Sequence, residues 1–550
     1  MSSVADHAQQ QITGVRAIIG MEVHVELACA SKAFSRAPSP ASRAFEGAPP
    51  NTCLDAVVLG LPGALPVVND QAVEMSIAVG LALGCSIAPI TRWDRKSYFY
   101  ADMPKGYQIS QFDLPLCFDG ALDYPAPSAA QAGGAVTPDH TLPPLRAGII
   151  RAHLEEDAGK LLHEAPGGAP IEHSIVDFNR TGTALLEIVT QPDFASAEEA
   201  VLFCQTLRAL CRHLGVTQGV MQKGHMRFEP NINCELTLAG GRTVRTPITE
   251  VKNLNSFKAV RGAILHELRE QPRRWLQDGR TFGPGTKQTR GWDDAAGTTF
   301  VQRQKEDAHD YRYFPDPDLL PVQISPARVQ RARAQLPELP HAKRKRYDEA
   351  FGLGAKECAA LVEEPSVARL MDDAVEASVR AGVPATRAGK LVGNLLLQSG
   401  LRRANERSAE MRRAHQAGED DADAVDVLVS DLGVTPDALA GIATLRDAGS
   451  ISAQGADELF GLCTALEPQQ QSVALIEQLA RDKGLVLVRD DAQIDAWARQ
   501  AIEANPQPAA DVRAGKDAAI GRIVGAAMKL AAGQGDAAVL RERILRQLRG

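Results

Sequence analysis

Glu22, His24 and Glu26 occupy alternate positions in GMEVHVEL, with Met21, Val23, Val25 and Leu27 between them. Successive side chains of a strand point to opposite faces. The spacing therefore predicts a strand with one apolar face and one face bearing two carboxylates and an imidazole. An ordinary solvated sheet face would account for this strand alone. The pattern recurs, however. Arg151, His153, Glu155 and Asp157 share a face in IRAHLEEDAGK, as do Arg227, Glu229, Asn231 and Asn233 in MRFEPNINCE. Glu187, in TALLEIVTQPD, is apolar-flanked on both faces and has no easy route to water. A buried carboxylate must be protonated, paired or bound to a cation. Two readings stay open for Glu187: an ion pair with an arginine such as Arg180, or ligation of a metal. Carboxylates converging from neighbouring strands repel one another unless a divalent cation neutralises them. Hard oxygen donors suit Mg²⁺, which also holds nucleotide phosphates. Arg95 and Lys96 in RKSYFY and Lys105 in DMPKGYQISQ are cations of the kind that hold phosphate. No Walker or Rossmann glycine pattern is present, so a nucleotide site would have to lie on a sheet face.

Such residues need a large sheet to position them. Residues 1–295 are rich in Gly, Pro, Thr, Val and short alternating runs, and are expected to form an α+β domain with an antiparallel sheet. Ser196 and Glu199 form a capping box that opens a helix with an apolar stripe of Phe203, Leu207, Leu210 and Leu214. The Pro/Ala/Gly-rich stretch from Tyr124 to Leu145 reads as a long exposed hairpin loop. Helical patterns follow in 296–405, a connector, and in Ala-rich 406–550, a small all-α tail. Three domains suit 550 residues. A net charge of −8 excludes a uniformly basic nucleic-acid coat, although His341–Arg346 and Leu401–Arg413 are local basic patches. The N-terminus lacks a signal-peptide layout, no run is apolar enough for a membrane span, and nine scattered cysteines form no CxxC pair. A cytoplasmic protein with free thiols is expected.

The segments GMEVHVEL, LGLPGALPVVN, RKSYFYADMPKGYQISQ, HLEEDAGK, VDFNRTGTALLEIVTQPD, TEVKNLNSFKAV and KEDAHDYRYFPDPDLLPV strongly resemble, in order, those of the B subunit of the aspartyl/glutamyl-tRNA amidotransferase. ANPQPAADVRAGKDAAIGRIVGAAMKL resembles that family's tRNA-contacting helical tail. The resemblance implies a glutamine-synthetase-like cradle and an ATP- and Mg²⁺-dependent ligase. It would activate the side-chain carboxylate of Glu on tRNA-Gln, or Asp on tRNA-Asn, as an acyl phosphate and amidate it with ammonia. The ammonia would come from a separate amidase subunit, joined by a small third subunit in a heterotrimer. Matched motif by motif, Glu22, His24, Glu155, Glu187 and Glu229 would form the metal set, the first four acting in catalysis with Arg227. Lys105, Arg95 and Lys96 would hold ATP or phosphate, and Lys516 and Lys529 would contact tRNA. Many members carry two cysteine pairs for a structural zinc. Here those positions are Ser35, Ala37, Asp55 and Val58, so zinc is expected to be absent. Gln222 and Gln288 stand where Glu is common, and GQGDA replaces the usual GKANP in the tail. A stand-alone ligase for a small carboxylate would not need the helical tail. A non-catalytic tRNA binder would not need Glu22, His24, Glu155 and Glu187.

Overall fold

The structure, a computed structural model, describes residues 11–97, 99–128, 136–164, 169–304, 311–415, 427–532 and 534–549. The tip of the Pro/Ala/Gly-rich insert (129–135), the N-terminal ten residues, the KEDAHD motif (305–310) and Gly533 of the tail lie outside them. The chain divides into two units, Met1–Leu339 and Pro340–Gly550.

A ten-stranded sheet organises the first unit. Its main strands are β1 (Ile12–Glu26), β2 (Cys117–Tyr124), β3 (Leu145–Glu156), β4 (Ala184–Thr190), β5 (Met226–Leu238), β6 (Thr249–Lys252), β7 (Gln288–Asp293) and β8 (Thr298–Gln304). They lie in the order β8-β7-β6-β5-β1-β4-β3-β2, with Ser86–Ile87 at the far edge and Thr243–Arg245 added to β5. The expectation of an antiparallel sheet needs one correction, because β6 and β7 run parallel. The reason is the long helix between them, which carries the chain back to the starting end of the sheet, as a parallel crossover requires.

Met21, Val23 and Val25 of β1, Leu186 and Ile188 of β4 and Leu154 of β3 are almost wholly buried on one face of the sheet. They share a core with Val73 and Ile77 of α1 (Asp70–Ala82), Phe203 and Leu207 of α2 (Ala197–His213), and Val260 and Ile264 of α3 (Phe257–Asp278). Ser196 Oγ caps α2 by accepting from the Glu199 N–H, and the Glu199 carboxylate accepts from Ala195 N–H rather than from Ser196. The first unit runs on past residue 295, which falls in the β7–β8 turn. Arg328, in the helix Pro326–Ala334, binds Asp70 and Glu74 of α1 at 2.7 Å each.

The second unit is helical and has two cores, one from Tyr347 to Leu485 and one from Ile494 to Leu548. Residue 405, where the composition changes, lies inside the helix Leu401–His415, whose Ala404 is buried in the first of these cores. Among the described residues no helix is long and apolar enough to cross a membrane. All nine cysteines are free and buried.

The loop after β1 is held by polar ties as well as by packing. Asn179 Oδ1 accepts from the N–H groups of Thr52 and Cys53 at 2.8 Å each, and its Nδ2 donates to the Pro49 carbonyl at 2.7 Å. Lys32 is wholly buried and donates to the Asn179 carbonyl and to Thr183 Oγ1. Burial pushes its ammonium down to about 8. Of the four positions expected to lack zinc ligands, Ala37 and Val58 are packed away and Asp55 accepts from Val58 N–H. Asn179→Ala leaves two backbone donors without their partner and is expected to cost about 2–3 kcal/mol. Thermal unfolding of the variant checks this, with early proteolytic cleavage in 48–53 as a local readout.

Candidate active site

Strand register gathers the polar residues into rows. His24 of β1 pairs with Arg227 of β5 on one side and Glu187 of β4 on the other, and Glu187 pairs with His153 of β3. The row Arg227–His24–Glu187–His153 thus crosses four strands on the face opposite the apolar core. One row away, Glu22 faces Glu229, and next to it Asn231 faces Glu250 of β6. On the other side, Leu185 of β4 lies opposite both Glu26 and Glu155. Cross-strand partners lie about 4.5–5.5 Å apart at Cβ, so these side chains must meet.

They meet in two groups. His24 Nε2 lies 3.4 Å from Glu187 and 3.8 Å from Glu155. His153 Nε2 lies 3.6 Å from Glu187 and 3.8 Å from Glu155. Ligand atoms of His24, Glu155 and Glu187 fall within 4.8 Å of one another, and so, separately, do those of Glu22, Glu229 and Glu250. The five residues expected to form one metal set are therefore divided. Glu22 and Glu229 join Glu250, and Glu229 lies 3.9 Å from His24 Nδ1, a buried nitrogen with no hydrogen-bond partner among the described residues. The donor types fit a hard divalent cation, with two carboxylates and one imidazole in the first group and three carboxylates in the second. A carboxylate near the far nitrogen of a ligating histidine is also a recurrent feature of metal sites.

The electrostatics follow from crowding. Burial alone would lower the His24 pKa, but the hydrogen bond to Glu187 and the charges of Glu229 and Glu187 push it up to about 9. Burial raises the Glu187 carboxyl, yet His153, His24 and Lys96 hold it well below its usual range. Glu155 is likewise held low by His153 and Lys96 against its own burial. With the folded pKa of His24 above its ordinary 6.5, its stabilisation is complete below about 6.5 and is lost as the pH rises through about 9. A divalent cation needs the neutral ring. Cation binding at pH 7.5 is therefore expected to release close to one proton, and His24→Asn should abolish that release. Titration calorimetry in buffers of different ionisation enthalpy measures it.

The cations are distributed differently from expectation. Lys96 is under the influence of Glu155 and Glu187, with its Nζ 5.2 Å from the Tyr311 ring centroid. Arg227 lies beside His24 and binds Asp157 at 2.8 Å. Arg95 is clamped by Asp316 at 2.9 Å and Asp318 at 2.8 Å, and Lys105 is buried against Glu156 at 2.6 Å. Both are taken up by structural carboxylates. Arg180 binds Asp157 and the carbonyls of Ala158 and Gly159 rather than Glu187, whose ion-pair partners are His24 and His153. Glu26 is buried, not solvated. Lys516 and Lys529 belong to the helical unit; Lys516 is exposed and binds Asp511 at 3.2 Å, and Lys529 is exposed in the last turn of Ile520–Leu530.

Sequence reasoning left out His153, Glu250, Lys252 and Lys287. His153 shared the marked polar face, so the signal was there. The other three lie on or beside short strands whose placement depends on the β6–β7 crossover. Lys252 Nζ is 2.7 Å from Glu229 and 3.2 Å from Glu250, and Lys287 is 3.6 Å from Glu22 and 3.5 Å from Glu250. A cavity of about 520 Å³ adjoins this end of the site, lined by Glu26, Arg227, Glu229, Lys252 and Gln222 among others.

Known proteins share this arrangement of sequence. A profile described as the GatB/GatE catalytic domain matches residues 17–330, and one described as the GatB domain matches residues 380–548. The chain is 40% identical over 516 residues to the B subunit of the aspartyl/glutamyl-tRNA(Asn/Gln) amidotransferase of Rhodopirellula baltica, covering 94% of this chain and 93% of the relative. The protein of the same name from Thermomicrobium roseum is 40% identical over 95% of this chain and 96% of its own length. That from Synechococcus elongatus is 39% identical over 98% of each. With the catalytic-domain profile spanning more than half of the chain and such relatives matching it almost end to end, the protein belongs to the family of aspartyl/glutamyl-tRNA amidotransferase B subunits.

Proposed function

We propose that this chain is the ligase component of a tRNA-dependent amidotransferase, and that the carboxylate-and-histidine face of its sheet is where a misacylated tRNA is activated and amidated. The observation that carries the reading is the convergence of His24, Glu155 and Glu187 beside Glu22, Glu229 and Glu250. So much acid on one sheet face suits a divalent cation and a phosphoryl group better than any solvated surface.

The substrates are Glu on tRNA-Gln, Asp on tRNA-Asn, and ATP. A carboxylate resists ammonia until one oxygen carries a leaving group. Its oxygen attacks the γ-phosphorus of ATP, and the bond from that phosphorus to the bridging oxygen breaks, leaving the electron pair on ADP. Ammonia then forms the C–N bond, the C–O bond to phosphate breaks, and one ammonia proton leaves on hydrogen phosphate. Mg²⁺ held by His24, Glu155 and Glu187 would neutralise phosphate oxygens. The Glu229 charge, 3.9 Å from His24 Nδ1, makes the ring more basic, and Lys96 balances the charge of Glu155 and Glu187. Arg227 faces the cavity from the His24 row and is held there by Asp157.

Ammonia comes from glutamine hydrolysed in a separate amidase subunit, which a small third subunit joins to this one in a cytoplasmic heterotrimer. Lys516 and Lys529 are proposed tRNA phosphate contacts, and no structural zinc is assigned. The purified chain alone should release no ammonia from glutamine. With its partners, ATP and Mg²⁺ it should convert Glu-tRNA to Gln-tRNA, Asp-tRNA to Asn-tRNA, or both. Glutaminase activity of the chain by itself would refute the assignment.

A further inference from the structure

We infer that Lys252 is a catalytic residue, the ammonium that binds the phosphoryl oxygens as the group passes from ATP to the aminoacyl carboxylate, with Arg227 of the same cavity lining as its counterpart. The inference rests on the ligase reading above and adds the identity of the phosphate-holding cation.

Four other cations near the carboxylate rows are committed elsewhere. Arg95 is clamped between Asp316 and Asp318, Lys105 is buried on Glu156, Arg180 is tied to Asp157 and two carbonyls, and Lys96 sits beneath Tyr311 on the Glu155–Glu187 side. Arg180 lines the same cavity as Lys252, and Lys252 differs from it in its partners, which belong to the second carboxylate group. Lys252 ends β6, its side chain is one-third exposed, and it lines the 520 Å³ cavity together with Arg227, Glu229 and Asn253. Its present partners are Glu229 and Glu250, two of the three carboxylates that form the second cation-type group.

The charge balance shows what happens when that group is filled. Glu22, Glu229 and Glu250 against Lys252 and Lys287 leave one net negative charge. Glu22, Glu229 and Glu250 would hold a divalent cation, and its charge would turn this into one net positive charge. The Lys252 ammonium would then no longer be needed to neutralise glutamates, and it already lines the cavity. A lysine on a four-carbon stem can turn into that space, as a point charge suited to phosphate oxygens. Phosphoryl transfer gains mostly from such fixed positive charge around the equatorial oxygens.

The test uses the assembled complex carrying Lys252→Met or Lys252→Arg. Nucleotide binding is measured by calorimetry with Mg²⁺, and tRNA-dependent phosphate release in single turnover. Lys252→Met should weaken ATP roughly tenfold or more while ADP changes less than about twofold, and should slow phosphate release roughly 100-fold. Lys252→Arg should recover part of the preference for ATP over ADP. Unchanged discrimination, or equal loss for ATP and ADP, overturns the inference. So does recovery of Lys252→Met by excess Mg²⁺, which would mean that the lysine only neutralises carboxylates. Lys252→Gln is read in the same way should the methionine variant not fold. Absence of tRNA-dependent ATP cleavage in the wild type would refute the ligase reading itself, whereas cleavage that survives in Lys252→Met refutes only the role of this lysine.

Discussion

Glu187→Gln is expected to reduce the conversion of Glu-tRNA to Gln-tRNA by roughly a thousandfold or more, the upper range for removing one charged group from a preorganised site, while the protein stays folded. The substitution keeps shape and removes one charge. Glu187 stands between two imidazoles, 3.4 Å from His24 and 3.6 Å from His153, closer to each than Glu155, which lies 3.8 Å from both. Loss of its charge removes a hard oxygen donor. It also removes the largest influence raising the His24 pKa, so His24 should titrate nearer its ordinary value. Some stability should be lost at neutral pH, because a carboxylate held well below its usual range stabilises the fold in its charged form, and relief of repulsion with Glu155 offsets part of this. Three measurements check the result: aminoacyl-tRNA analysis after reaction, Mn²⁺ affinity, and the His24 titration by NMR. Retained conversion would remove Glu187 from the site. Lost conversion with unchanged Mn²⁺ affinity would remove it from the metal.

Glu267→Ala should cost the first unit about 3–5 kcal/mol of stability, the usual effect of breaking a buried ion pair. Glu267, on α3, is wholly buried. It accepts from Thr299 Oγ1 at 2.6 Å and Gln271 Nε2 at 3.3 Å, is paired with Arg274, and lies 3.4 Å from Arg290. The network ties the crossover helix to β7 and β8, so the variant leaves two guanidinium groups without their carboxylate beside an apolar core. Burial raises the Glu267 carboxyl, but Arg274, Thr299 and Arg290 hold it below 4.5. Its contribution is therefore present above about 4.5 and is lost as the pH falls through the lower folded value. Denaturant unfolding of wild type and variant at pH 7 and below pH 4 measures both effects, and the gap between them should narrow in acid. The triple replacement Glu267→Met, Arg274→Met and Arg290→Leu should recover part of the loss, as replacement of buried ion networks by apolar groups often does. A pH-independent gap would assign the cost to a cavity.

Much of the site was legible because strands repeat every two residues. Alternation placed Glu22, His24, Glu155, Arg227 and Glu229 on polar faces, and the lack of a polar face around Glu187 marked its carboxylate as needing a partner. What alternation cannot supply is register. That Glu187 lies opposite His24 and His153, and that Glu229 lies opposite Glu22, depends on which strands neighbour each other and how they are offset. Segments more than a hundred residues apart in the chain had to be brought side by side. The basic residues show the same limit from the other side. Arg95 and Lys105 have the right type and neighbouring motifs, yet Asp316, Asp318 and Glu156 take their charges.

Local pattern suffices for the family, the half-polar strands, the capped helix after Ser196 and the acidic, imidazole and basic residue types of the proposed site. Strand order and packing are needed to see that the five candidate metal-binding residues fall in two clusters, that the sheet contains a parallel pair, and that Lys252 rather than Lys105 lines the cavity. Those outcomes turn on distances of 3–4 Å between residues far apart in the chain. Coulomb interactions at that range are set by strand order and offset, which no single stretch of sequence contains.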